Sequence, residues 1–161
     1  MDGLSLFISV VGVGLAIVAL TTAQNVRNTV QGMVRRANDQ TDADTVKTAI
    51  DKVLLAKEAA KRRHPNAPSE LSLGHELSAD IALVIEAEDA LRTGLPPAVP
   101  PTLNNSSNNA AGDLVAALLV INVPVVGRDG WADAYSTLQT IVPELEREHR
   151  RLKNNTLTTQ A

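Results

Sequence analysis

Hydrophobic and polar positions divide this chain into unlike stretches. Residues 4–20 hold thirteen apolar residues in seventeen, and no charged residue occurs from Gly3 through Val26. A helix of that length rises about 26 Å at roughly 1.5 Å per residue, and Thr21 and Thr22 extend it toward the ~30 Å hydrocarbon core of a bilayer. The pattern predicts a transmembrane anchor over residues 1–22. Within it, Ser5, Ser9, Gly12 and Ala16 share one face, and small residues on one face let membrane helices approach.

Beyond the anchor, Val26, Val30, Met33 and Val34 keep a helical period, which predicts a juxtamembrane helix over 23–40. The polar run Asn38 to Thr41 reads as a break, and Thr41 followed by Asp42 and Asp44 reads as an N-cap with acids in the first turn. From there Val46, Ile50, Val53, Lys57 and Ala60 form a stripe that ends at Lys61, Arg62 and Arg63, before the Pro65 and Pro68 turn. A second stripe, Leu77, Ile81, Val84, Glu88 and Leu91, closes at Gly94 with Pro96 behind it. Together they predict a helical hairpin over 41–95.

Residues 96–112 are rich in Pro, Asn and Ser without apolar period, and are expected to be a linker. The run from Leu114 to Ile121, with Asp113 as its cap, is apolar on every side, which predicts a helix buried in the domain, with a segment dipping shallowly into the membrane as the alternative. The last helix carries a heptad seam of Trp131, Tyr135, Leu138, Val142, Leu145, His149 and Leu152, with Pro143 expected to kink it. These two helices form a C-terminal pair over 113–153, followed by a disordered tail over 154–161. The expected fold class is all-α: a single N-terminal transmembrane helix followed by a small helical hairpin or bundle.

Composition sharpens this picture in two respects. Cysteine is absent, which removes disulfides, thiolate catalysis and Cys-based metal sites. Phe, Trp and Tyr occur once each, so the core must be built from Val, Leu, Ile and Ala.

Charge is distributed unevenly. Residues 27–63 carry nine basic and five acidic groups, residues 64–113 carry seven acids against Arg92, and the remainder after 113 balances. The basic part suits anionic lipid headgroups, or pairing with the chain's own acidic segment in a hairpin, and the two are compatible. Nucleic acid is not an expected partner, because the chain is acidic overall and has no basic stripe interleaved with aromatics. Arg27, Arg35 and Arg36 follow the anchor, whereas only Asp2 and the amino terminus precede it. The basic flank stays cytoplasmic, so the N-terminus is expected outside and the C-terminal domain in the cytoplasm.

Candidate chemistry is sparse. Glu88 lies within an apolar stripe, where desolvation raises a carboxyl pKa, but Arg92 four residues on is a ready ion-pair partner. Lys57, similarly placed, is expected to meet Asp80 across the hairpin. Glu146 and His149 have the Glu-x-x-His spacing of di-iron bundles, but the chain offers no second such motif. His75-Glu76 lacks the second histidine of a zincin helix, and neither a phosphate loop nor a nucleophile elbow is present.

The chain is therefore read as a membrane-tethered, non-enzymatic interaction or scaffold protein, with no catalytic, cofactor or metal site assigned. Its expected partners are the bilayer and a protein, or a second copy, bound through the seam of Trp131, Tyr135, Leu138, Val142 and Leu145 or through the small-residue face. Two alternatives are an exported helical protein released by cleavage near Ala23, and a membrane-bound helical enzyme using Glu88, or Glu146 with His149.

Overall fold

The computed structural model describes the backbone of residues 2–158 and the side chains of residues 27–155, apart from 28, 29 and 36. Its elements are α1 (Asp2–Arg63), a 3-10 turn (Ser69–Ser72), α2 (Leu77–Thr93), α3 (Pro101–Asn122) and α4 (Gly130–Thr158). No strand occurs among the described residues, so the fold is all-α. The chain forms two compact units, Met1–Asn38 and Asp39–Ala161. The first consists of the N-terminal part of α1.

The second unit is a four-helix bundle built from residues 39–63 of α1 together with α2, α3 and α4. Arg62 and Arg63 at the end of α1 meet Asp80 at the start of α2, while Thr45 and Lys52 lie beside Asp89 and Thr93. These two helices therefore run antiparallel. α3 packs on both α2 and α4. Leu103 near the start of α3 lies by Arg147 and Glu148, whereas Ala117 and Ile121 near its end lie by Gly130, so this pair is antiparallel too. His64 touches Tyr135, which closes the ring of helices.

One continuous core fills the bundle. Val46, Val53 and Ala60 come from α1, Val84 and Leu91 from α2, Leu103, Leu114 and Ala117 from α3, and Leu138, Leu145 and Leu152 from α4. The named residues recur seven apart in α1, α2 and α4, and eleven and then three apart in α3, sums of the three- and four-residue steps that return side chains to one face. The core contains many alanines, which lets the helices approach closely. α3 and α4 meet closely at Gly130, where a Cβ would stand 2.5 Å from the carbonyl oxygen of Ala117.

Several expectations are corrected here. The break at 38–41 does not occur, and the ranges 23–40 and 41–63 belong to one helix. Nothing in Asn38 to Thr41 forbids helical geometry, since the run contains neither Pro nor Gly. The Thr45 and Thr48 hydroxyls donate to the carbonyls of Thr41 and Asp44, at 2.8 and 3.0 Å, and so are satisfied within the helix.

The linker expected over 96–112 is mostly helix. α3 begins at Pro101, a residue whose fixed φ and missing N–H suit the first helical position. Leu103, Ser107, Ala110, Ala111 and Leu114 are buried, while Asn104, Asn105, Asn108 and Asn109 face solvent. Asp113, the expected cap, sits mid-helix. The actual connection is residues 94–100.

α4 runs to Thr158, so the tail expected from 154 is helical up to that point, and 159–161 lie outside the described residues. Pro143 does not interrupt it; this proline is on the exposed side, where a lost backbone hydrogen bond is met by water. Asp129 starts the helix by accepting at Oδ1 from the N–H groups of Trp131 and Ala132, both at 2.9 Å. Gly127, with φ of 80°, turns the chain between α3 and α4.

Candidate functional site

The buried charge that joins two helices of the bundle is Asp80, while Glu88 and Glu146, considered above for chemistry, pair with arginines of their own helices. Asp80 is 1% exposed and stands in the first turn of α2. Arg62 donates from Nη2 to its Oδ1 at 2.6 Å, and Arg63 donates from Nε to its Oδ2 at 2.7 Å. Arg63 Nη2 also donates to the carbonyl of His75 at 2.6 Å, which fixes the chain just before α2. Burial pushes the Asp80 carboxyl up, but the hydrogen bonds and charges of Arg62 and Arg63 outweigh it and hold the group below its ordinary value. Asp80 is thus an anion clamped between two helix ends.

Lys57 does not meet Asp80, contrary to expectation. The 3-10 turn moves the hairpin apex to about Leu71, so Asp80 faces the last turn of α1 instead of a position more than one turn earlier. The signal available in the sequence was the basic triplet at 61–63, of which Arg62 and Arg63 serve as Asp80's counter-charges while all three complement the helix dipole.

Glu88 and Arg92 do pair, with N···O of 2.5 Å at i,i+4. The Glu146 and Arg150 pair is longer, at 3.9 Å. Glu148, which sequence reasoning did not single out, is the buried carboxylate of α4 and takes two hydrogen bonds from Arg151, at 2.8 and 2.5 Å. That bond raises the Arg151 pKa against the opposing effect of burial, and the charge of Asp39 adds to it. Glu146 and His149 are half-buried on α4, and among the described residues no three His, Asp or Glu side chains are grouped to hold a metal ion.

A shallow groove of about 250 Å3 lies where α1 ends, lined by Lys61, His64, Asn66, Leu71 and Tyr135. His64 and Tyr135 meet edge to face with ring centroids 5.8 Å apart. The Asn66 backbone N–H donates to His64 Nδ1 at 3.1 Å, which orients the ring against the turn.

The seam on α4 is closed by the chain itself. Leu138, Val142 and Leu145 are in the bundle core, and Trp131 and Tyr135 pack against it. The run from Leu114 to Ile121 is buried on one face only, through Leu114, Ala117 and Val120, whereas Leu119 and the following Val123, Val125 and Val126 are exposed. In the first unit Val30, Met33 and Val34 are exposed as well.

Among the described residues no helix is long and apolar enough to cross a membrane. The segment expected to do so, residues 4–20 with Ser5, Ser9, Gly12 and Ala16, lies outside the residues whose side chains are described. In comparisons with known proteins, no family model, no curated protein and no solved structure matches the chain.

Proposed function

We propose that the chain is a membrane-tethered, non-enzymatic interaction protein: residues 4–20 hold it in a bilayer with the N-terminus outside, and the bundle of Asp39–Ala161 works on the cytoplasmic side. The observation that carries this reading is the uncharged run from Gly3 through Val26, followed by Arg27, Arg35 and Arg36. The bundle supports it because it completes its own core without the N-terminal segment. Its buried carboxylates, Asp80 and Glu148, are each matched by arginine; the Asp80 pairs join the end of α1 to the start of α2, whereas the Glu148 pair lies within α4.

Alkaline extraction of membranes tests the tether. The full chain is expected to stay with the bilayer fraction at its intact mass. Val11→Arg with Leu15→Arg is expected to release it, since each arginine at a helix centre costs about 2.5–3.5 kcal/mol of insertion. An unmodified chain found in the supernatant would overturn the tether. A mass lacking the first twenty-odd residues, roughly one span, would favour release by signal cleavage instead.

A further inference from the structure

The basic triplet that ends α1 does not act as one group. Arg62 and Arg63 both reach Asp80, whereas Lys61 lines the groove beside Tyr135 of α4 and enters no ion pair among the described residues. No carboxylate lines that groove. The acids nearest to Lys61 in the sequence, Glu58 and Glu70, are exposed and form no ion pair with it.

His64 and Tyr135 add donors to the ammonium. Because the Asn66 backbone N–H donates to His64 Nδ1 at 3.1 Å, that nitrogen is the unprotonated one, and the neutral imidazole carries its proton on Nε2. Nε2 and the Tyr135 hydroxyl have no hydrogen-bond partner among the described residues. The edge-to-face contact of the two rings fixes one against the other. Ala67, Pro68 and Leu71 supply the apolar wall, and Leu71 is 44% exposed.

The groove thus sets an ammonium, an N–H and an O–H beside hydrocarbon, the complement of a carboxylate attached to an apolar group. Its volume, about 250 Å3, is below the roughly 300–1,000 Å3 of sites that enclose a free small molecule. One apolar side chain and its carboxylate fill such a space, with the rest of a chain left in solvent.

We propose that this groove binds the carboxyl terminus of a partner polypeptide that ends in an apolar residue. Lys61, His64 Nε2 and the Tyr135 hydroxyl take the terminal carboxylate, and Pro68 and Leu71 cover the last side chain. An anion without an apolar body would leave Leu71 uncovered, and a purely apolar partner would leave the ammonium without a counter-charge. The proposal rests on the reading of the bundle as an interaction module and not on the tether. Alkaline extraction reports the tether and the titration below reports the groove, so either can fail alone.

Binding is read on the full chain in detergent by NMR of the Tyr135 ring, whose signals are identified at once because the sequence holds a single tyrosine. The probe is an N-acetylated Gly-Gly-Leu peptide with a free carboxylate, and the control is its carboxamide. The acid is expected to shift the ring signals saturably and to bind at least about tenfold more tightly than the amide, the worth of one charge-assisted hydrogen bond. Lys61→Gln changes an exposed side chain and is expected to weaken the acid about tenfold while leaving the amide unchanged. The site would be overturned by the absence of a saturable shift below about 10 mM, by equal binding of acid and amide, or by equal binding of the acid to parent and variant. The third arm is 4-methylpentanoate, the same carboxylate and hydrocarbon without a peptide chain. Binding of this free acid as tight as the peptide's would overturn a chain end as the ligand.

Discussion

Replacing Asp80 by alanine is expected to lower the stability of the bundle by about 3 kcal/mol, since removing one partner of a buried ion pair leaves the other charges uncompensated. Arg62 and Arg63 both depend on this carboxylate, and Arg63 also ties down the carbonyl of His75. The loss should appear in urea unfolding of the full chain in detergent, followed by far-UV circular dichroism. A change below about 1 kcal/mol, the level of an exposed ion pair, would mean the clamp is only a surface contact.

The same residue sets a pH dependence. Asp80 titrates below its ordinary value when folded, so it binds protons less readily in the folded than in the unfolded chain. Its contribution is therefore complete above about pH 5 and is lost as the pH falls through the folded pKa. Asp80→Asn is expected to be less stable than the parent at neutral pH and to lose less on acidification. Parallel curves for the two proteins between pH 6 and pH 2, about the window in which carboxylates titrate, would contradict this.

The second large effect separates two leucines of one helix. Leu114 is fully buried in the core and Leu119 is 65% exposed, although both fall in a run that is apolar on every side. Leu114→Ala is expected to cost about 3 kcal/mol, from lost burial and the cavity left behind. Leu119→Ala is expected to cost less than about 0.5 kcal/mol, as for a surface substitution. Comparable losses for the two, in the same urea measurement, would mean that α3 is rotated or that Leu119 is covered.

Much of the fold was legible because core spacing is local. The stripe from Val46 to Ala60, the Val84 and Leu91 part of the α2 stripe with its Glu88 and Arg92 pair, and the α4 seam follow from three- and four-residue steps, whereas Leu77, expected to open the α2 stripe, is 51% exposed. α3 was not fully legible. Its first half buries Ser107, Ala110 and Ala111 and exposes asparagines, so propensity and hydropathy both point away from helix; packing against α2 and α4 overrides them. Continuity through Asn38 to Thr41 was missed because a cap-like sequence permits a helix start without requiring one.

The clamp itself depended on a register that the sequence leaves open. Residues 64–76 contain a 3-10 turn whose geometry decides whether Lys57 or Arg62 faces Asp80, and a shift of about one turn exchanges them. All the charged groups involved were visible as residues, but their pairing was not. The α4 seam illustrates the converse. Its heptads mark an apolar face, and that face packs within the chain, with Leu138, Val142, Leu145 and Leu152 in the core.

The central claim is a bilayer anchor with the bundle on its basic, cytoplasmic flank. Protease protection of a C-terminal epitope on the full chain in intact cells tests it most directly. The account predicts that the epitope survives protease added outside and is degraded once the membrane is permeabilised. An epitope digested in intact cells, with a cytoplasmic marker still protected, would contradict it.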